Sequence, residues 1–441
     1  MTGARDNAAL APVDGAQRVF GAREHASLWF SLGTGLLVIQ IGAYLVPGAG
    51  TREALFAIAL GSLVGAGLLA WTARLGCETG LTSAGLMHAT YGGAFARLPV
   101  VLNIAQLVGW TTFELVVMRD GSAAIAAAAR GAPLSGTAVA LVTIGWGALL
   151  AALMAGSMVA LVRRFVARFG LPLVIASLAW LTWQFGARVQ AAGLDAFWSR
   201  AGDGSLTTLS AMDLVIAMPV SWLPLVADYA RHGRTPSGAL GGTWAGYALA
   251  NAWCYLLGVL VASTAQPGAD LVASLLLAQG GLVALGLILL DELDNAYGDA
   301  YSGAVSASSL RPGWGVRRYG LAICAACTVF ALALPMRGLE PFLLLLSSVF
   351  VPLYGVILGR LGLGAAAPVG SGTAAVARRE QAPAPARPVD WTAAALWLAG
   401  IGLYHALARW APQLGATLPT LALTFALAAL TRPRLRLAPQ G

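Results

Sequence analysis

The 441-residue chain has no lysine, and charged residues of every kind make up only 10% of it. A soluble domain carries about 25%, so an ordinary water-soluble fold is excluded. The 27 basic residues are all arginines, spread through short polar intervals, and their distribution is no nucleic-acid footprint. The motif G-x-x-x-x-G-K-[ST] is missing, which speaks against an ATP-driven pump working alone. Histidine is scarce: His25, His88, His232 and His405 lie near the ends of apolar runs and show no metal-ligand spacing. Of the four cysteines, Cys324 and Cys327 have C-x-x-C spacing but no βαβ context, and they read as two small helix residues. Period-2 alternation is absent too, which excludes a strand barrel. A cleavable signal peptide is not expected, because the first 26 residues are polar and mixed in charge and the first apolar run is of span length.

What is present is hydrophobicity, at 58% of residues and a mean hydropathy of +0.75. Apolar runs of about 20 residues, enough to cross a bilayer core, recur along the chain. They predict about twelve helices, near 27–46, 54–73, 98–128, 137–161, 170–190, 211–229, 238–264, 281–303, 319–335, 339–362, 391–408 and 413–430. The fold class is therefore an all-α polytopic membrane protein. Residues 1–26 read as a cytoplasmic segment, 27–362 as a ten-helix core, and 363–390, rich in Pro, Ala and Gly, as a flexible cytoplasmic linker. Residues 391–430 add two helices and 431–441 form a tail. With the N-terminus inside, about twenty arginines face the cytoplasm and about six face outward, the bias expected of inner-membrane proteins. Arg163, Arg164 and Arg168, then Arg311, Arg317 and Arg318, then Arg432, Arg434 and Arg436 are the clearest inside clusters, and both termini are expected in the cytoplasm.

A charge at membrane depth costs about 2.5–3.5 kcal/mol, so polar residues inside the runs are functional candidates. The segment LLDELDNAYGDAYSGAV (289–305) crowds Asp291, Glu292, Asp294 and Asp299 at the end of an apolar stretch. Asp291, Asp294 and Asn295 are spaced i, i+3, i+4, which puts three oxygen-bearing side chains on one helical face, with Glu292 and Asp299 pointing elsewhere and Glu292 solvated or paired. The alternative takes Leu271–Leu290 as the span and leaves the acids in a hydrated loop. In the third run, Gln106, Trp110 and Glu114 fall at i, i+4, i+8. An indole to stack on, with an amide and a carboxylate to read an edge, suits a flat polar ring; the alternative is packing with an internal Glu114–Arg119 pair. Two runs look unable to stay continuous helix: SLGTGLLVIQIGAYLVPG (31–48), with Gly33, Gly35, Gly42 and Gln40, and AMPVSWLPLVADYARHGR (217–234), with Pro219 and Pro224. Interrupted helices in corresponding halves mark transporter sites.

The segment MPVSWLPLVADYARHGR (218–234), Gly109-Trp110, DAYSGAVS (299–306) and the loop GCETGLTSAGLMHATYGG (76–93) together resemble the nucleobase–cation symporter-1 family. Within it they are most similar to a branch of hydroxymethylpyrimidine transporters related to cytosine permeases. The resemblance covers about the first ten runs. It implies the LeuT-type fold, two inverted five-helix repeats plus two C-terminal helices. It also implies substrate contacts at Gln40, Trp110, Glu114 and the stretch Pro219–Ser221–Trp222. A sodium site is implied from the carbonyls of Leu36, Ile39 and Asp291 with the side chains of Asp294 and Asn295. Relatives place hydroxyls where this chain has Asp294 and Asn295, which puts sodium coupling in doubt and makes a proton the other candidate. The stacking aromatic of the sixth helix matches Pro219, so Trp222 is expected to replace it. The function expected is cation-coupled uptake of a small heterocycle, hydroxymethylpyrimidine first and cytosine next, with no cofactor, no nucleic-acid partner and no catalysis. A channel and an intramembrane aspartyl enzyme, suggested by Tyr297-Gly298-Asp299, are the alternatives.

Overall fold

A computed structural model describes residues 9–156, 170–266, 270–334, 338–363 and 388–432, and among these it is helical throughout. In chain order the helices are α1 (Ala22–Leu32), α2 (Leu36–Gly48), α3 (Thr51–Thr79), α4 (Ser83–Tyr91), α5 (Arg97–Arg130) and α6 (Gly136–Met154). They continue with α7 (Leu171–Ala192), α8 (Leu194–Ser199), α9 (Thr208–Ala230), α10 (Pro236–Thr264), α11 (Leu271–Leu276) and α12 (Gly281–Leu310). The last four are α13 (Val316–Ala333), α14 (Leu339–Ile357, prolonged to Gly362), α15 (Trp391–Trp410) and α16 (Thr417–Leu430). Side-chain caps fix several starts. Thr82, Ser135, Thr207, Thr235, Asp270 and Asp390 each accept a backbone N–H of the helix that follows, satisfying one of its orphan donors.

Among the described residues, eight helices are long and apolar enough to cross a membrane, nine with the bent α1–α2 pair. The other three expected positions are filled by α7, by α12 with its four acids, and by α16 with 14 residues. The end of the expected fourth run, Arg163, Arg164, Arg168, Arg434, Arg436 and nearly all of the 363–390 linker lie outside the described residues.

At the centre, α9 packs on α3, α12 on α5, and α1, α2 and α3 on α10, while α14 to α16 group at one side. Every residue of α9 from Ala211 to Ala230 is buried, as befits a helix enclosed by protein on all sides. Without a hydrophobic drive between helices in lipid, close contact rests on small residues. Gly258 of α10 lies so near α2 that a Cβ there would stand 2.1 Å from the Ile39 carbonyl, and Gly42 faces the Tyr255 backbone in the same way.

Of the two helices expected to break, one does. α1 and α2 meet at 59° across Gly33-Thr34-Gly35. The sixth run does not break: α9 continues through Pro219 and Pro224. Pro219 supplies no N–H for the carbonyl four residues back, but the Tyr255 hydroxyl of α10 donates to that Val215 carbonyl at 3.1 Å. The proline ring settles against Gly65 of α3. With the orphan acceptor satisfied and space for the ring, the helix has no reason to unwind. The loop alternative for the acids is also overturned. α11 ends at Leu276, and Asp291, Glu292, Asp294, Asn295 and Asp299 are all buried in the continuous helix α12.

Candidate functional site

The bend between α1 and α2 leaves backbone groups that helical hydrogen bonds do not satisfy, and α12 supplies their partners. The Leu36 N–H, first in α2, donates to Glu292 Oε1. The Thr34 carbonyl accepts from Asn295 Nδ2 at 3.0 Å, and that amide also donates to Glu292 Oε2 at 3.2 Å. Gly35 makes this possible, since a Cβ there would lie 3.0 Å from the Glu292 carboxylate. An anion at a helix N-terminus is favoured by the exposed N–H groups and the helix dipole. Glu292, expected to be solvated or paired, is fully buried at this junction and held by the Leu36 N–H and the Asn295 amide.

Beside the junction is a closed cavity of about 10 Å³, room for about one water molecule and well below the volume of an occupied ligand pocket. α5 contributes Trp110 and Glu114, α9 contributes Met218, Ser221 and Trp222, and α12 contributes Glu292, Asn295 and Asp299; Leu32, Gly35, Leu37 and Val38 close it from the bend. Trp110 is held edge-on against Phe342, with centroids 5.1 Å apart, and Trp222 against Trp29 at 6.0 Å. The Trp110 indole N–H, Glu114 Oε2 and Asn295 Oδ1 are buried without a hydrogen-bond partner. Buried polar atoms are nearly always paired, so these three are the cavity's candidate contacts for a bound ligand or water. Glu114 does not pair with Arg119, whose guanidinium bonds Asp120 at 2.7 Å and the Ala331 carbonyl at 2.8 Å.

Trp110, Glu114, Ser221 and Trp222, expected at the substrate site, line this one cavity, and Asn295, expected at the cation site, lines it with them. Three expected residues do not join them. Gln106 is one turn away from Trp110 and donates its amide to Asn103 Oδ1 (3.0 Å) and the Ser221 carbonyl (3.1 Å), tying α5 to α9. Pro219 faces α3. Gln40 is exposed in a separate cleft of about 540 Å³ with Tyr44, Asp120 and Asp270. That cleft opens on the side of the bundle where α5 ends and α11 begins, opposite the N-terminal segment, and Leu37 lines both spaces as the partition between them. Glu292 and Asp299 are pocket residues that the spacing argument missed. With Asn295 they form an i, i+3, i+7 stripe, a pattern as regular as the Asp291–Asp294–Asn295 stripe expected to face one ligand.

That expected stripe divides. Asn295 turns to the bend, whereas Asp291 and Asp294 turn to α1, where Ser31 Oγ donates to Asp291 Oδ1 at 2.7 Å and to Asp294 Oδ2 at 3.4 Å. Asp291 Oδ2 is buried without a partner. Leu36 gives its N–H to Glu292, and the Ile39 carbonyl lies against Gly258 of α10. The Asp294 and Asn295 side chains, expected at one cation, thus bond different partners, Ser31 and the Thr34 carbonyl. Among the described residues no group of three His, Cys, Asp or Glu side chains has metal-holding geometry, while Ser31, Asp291 and Asp294 do form a compact oxygen cluster.

At the end of the bundle where the chain enters α1, the N-terminal segment is strapped down. Phe20 N–H donates to the His232 carbonyl at 2.9 Å, and Arg234 N–H returns to the Phe20 carbonyl at 2.8 Å. The Gln17 carbonyl lies 3.1 Å from His232 Nδ1. Burial lowers the His232 pKa to about 4, helped by Arg231.

The same helix order and packing recur in solved transporters. Mhp1, a nucleobase-cation-symport-1 family transporter, in a closed conformation with bromovinylhydantoin bound, matches with a TM-score of 0.75 at 14% identity, over 96% of this chain and 93% of that one. Its inward-facing conformation gives 0.71 at 17% identity over 98% and 93%. MhsT in complex with L-phenylalanine gives 0.61 at 16% identity over 92% and 98%. The fold is thus the LeuT type, as the sequence resemblance implied. No curated protein sequence matches the chain. A family model described as permease for cytosine/purines, uracil, thiamine, allantoin matches residues 12–425. The chain therefore belongs to this family of membrane permeases and is not an enzyme.

Proposed function

We propose that this permease takes up a small aromatic nitrogen heterocycle, an aminopyrimidine such as hydroxymethylpyrimidine first and cytosine next, by symport with sodium or a proton. The observation that carries the reading is the cavity beside the α1–α2 bend, where two indoles flank a rim of acceptor oxygens. A planar ring with exocyclic N–H groups uses both features, stacking on an indole and donating to Glu114 and Asn295. Ser31, Asp291 and Asp294 are the cation locus in this reading, since the unpartnered Asp291 oxygen and its two neighbours offer hard oxygen ligands. The setting is a bacterial inner membrane with both termini in the cytoplasm. Residues 27–362 are the transporting core and 391–430 two accessory helices.

Transport follows alternating access. The substrate enters from the Gln40 cleft past Leu37, and the α1–α2 bend registers its arrival through Glu292 and Asn295. Ligand and cation drive the change only so far as each binds one state better than the other. Proteoliposomes given labelled hydroxymethylpyrimidine or cytosine, under separately imposed sodium and proton gradients, test the proposal. Saturable accumulation against a gradient, dependent on one of the two ions, is expected. Downhill equilibration alone, whatever ion gradient is applied, overturns it.

A further inference from the structure

The charge balance of the pocket carries the reading one step further. Glu114, Glu292 and Asp299 all line the cavity and are at most 4% exposed, and no arginine or histidine stands among the described lining residues. The nearest arginine along α5, Arg119, is engaged with Asp120 and a backbone carbonyl. Carboxyl groups taken out of water need compensating charge or donors. Glu292 has donors from Leu36 and Asn295. Glu114 lies against Glu292, carboxyl to carboxyl, and its Oε2 has no donor.

Resting on the proposed function, we infer that the pocket binds its substrate as a cation, an aminopyrimidine protonated on the ring nitrogen, with its amidinium edge against Glu114. That edge presents a ring N–H and an exocyclic N–H side by side and carries the charge that the acidic pocket calls for. Two parallel donors match the two oxygens of a carboxylate in a bidentate pair. The neutral ring offers one donor, and its ring-nitrogen lone pair opposes the second carboxyl oxygen. A pyrimidinone sets a carbonyl oxygen there and is repelled more. The faces of Trp110 and Trp222 suit a cationic ring, adding attraction between charge and π-system. Selectivity among pyrimidines is then decided by basicity as well as by shape.

The test uses the full-length protein in lipid nanodiscs, at one pH above the ring-nitrogen pKa of every ligand. Equilibrium binding is measured for 4-aminopyrimidines of matched size whose substituents grade their basicity, and for a pyrimidin-4-one of the same shape. If the protonated form alone binds, apparent affinity follows its population, and Kd falls about tenfold for each unit by which ligand basicity rises. Glu114→Gln is expected to flatten that dependence while aminopyrimidines still bind. A parent protein that binds the whole series with equal affinity, or the pyrimidinone as tightly, overturns the inference and leaves the proposed function standing. A Glu114→Gln protein that keeps the parent's slope overturns the assignment to Glu114. Folded parent protein that binds no pyrimidine overturns the proposed function itself, and this inference with it.

Discussion

Replacing Glu292 with alanine removes the acceptor of the Leu36 N–H and the anion at the start of α2, and it also frees Asn295 Nδ2 from one of its two acceptors. The buried donor left at Leu36 costs about 1–3 kcal/mol. The lost interaction with the helix terminus adds about 1 kcal/mol, toward the upper part of the range because the site is buried. Together these weaken the seating of α2 on α12 by about 2–4 kcal/mol, or roughly 30- to 700-fold in the equilibrium that holds the bend closed. Glu292→Gln keeps an acceptor for Leu36 but sets an amide donor against Asn295 Nδ2, so its effect is smaller, about 1 kcal/mol. Hydrogen exchange of the amides from Gly35 to Ile39, in nanodiscs, reads the seating directly. Exchange is expected to be fast in Glu292→Ala, intermediate in Glu292→Gln and slow in the parent. Equal protection in all three proteins refutes the view that Glu292 holds the bend.

Trp110→Ala is expected to lower substrate affinity by about 1–3 kcal/mol, the range found when a stacking aromatic is truncated, with Trp110→Phe retaining most of it; equilibrium binding decides. Gly258→Ala places a Cβ 2.1 Å from the Ile39 carbonyl, and α2 and α10 must separate, so a loss of about 1–3 kcal/mol is expected in a thermal or denaturant melt. Asp294→Asn removes one charged oxygen from the Ser31–Asp291–Asp294 cluster and is expected to weaken sodium stimulation of binding while leaving substrate affinity without sodium near that of the parent; titrating sodium at fixed substrate checks this. His232, with its pKa lowered to about 4 in the fold against about 6.5 unfolded, binds fewer protons in the folded state between those values. Its neutral form therefore supports the N-terminal strap fully above about pH 6.5, and this support is lost as pH falls toward 4. Hydrogen exchange of residues 17–20 across that window is expected to accelerate on the acid side, and an unchanged profile counts against it.

Much of the fold was legible because a bilayer allows few solutions. Spanning backbone must satisfy itself, so run length alone located the helices, and the glycines at 33 and 35 marked the bend in the first of them. Trp110 and Glu114 were legible for a similar reason: four residues apart on a helix, they share a face whatever packs against it. The prolines of α9 misled because a proline's cost depends on its neighbours. The hydroxyl that satisfies the Val215 carbonyl comes from Tyr255, 36 positions ahead of Pro219, and no local pattern connects the two.

Helical spacing also grouped Asp291 with Asp294 correctly, since both meet Ser31. It could not tell that Asn295 turns away from them to join Glu292 and Asp299, because an i+3 and an i+4 neighbour lie on either side of the same face. Which side meets the bend is set by the rotation of α12 against α1 and α2, a property of the packed bundle. By itself the sequence determined a helical membrane protein with a broken first helix and an indole and a carboxylate on one face of the third. The tertiary structure decided which acids face the ligand, which face Ser31, and that Glu292 closes the break, because only packing brings residues 36 and 292 within hydrogen-bonding reach.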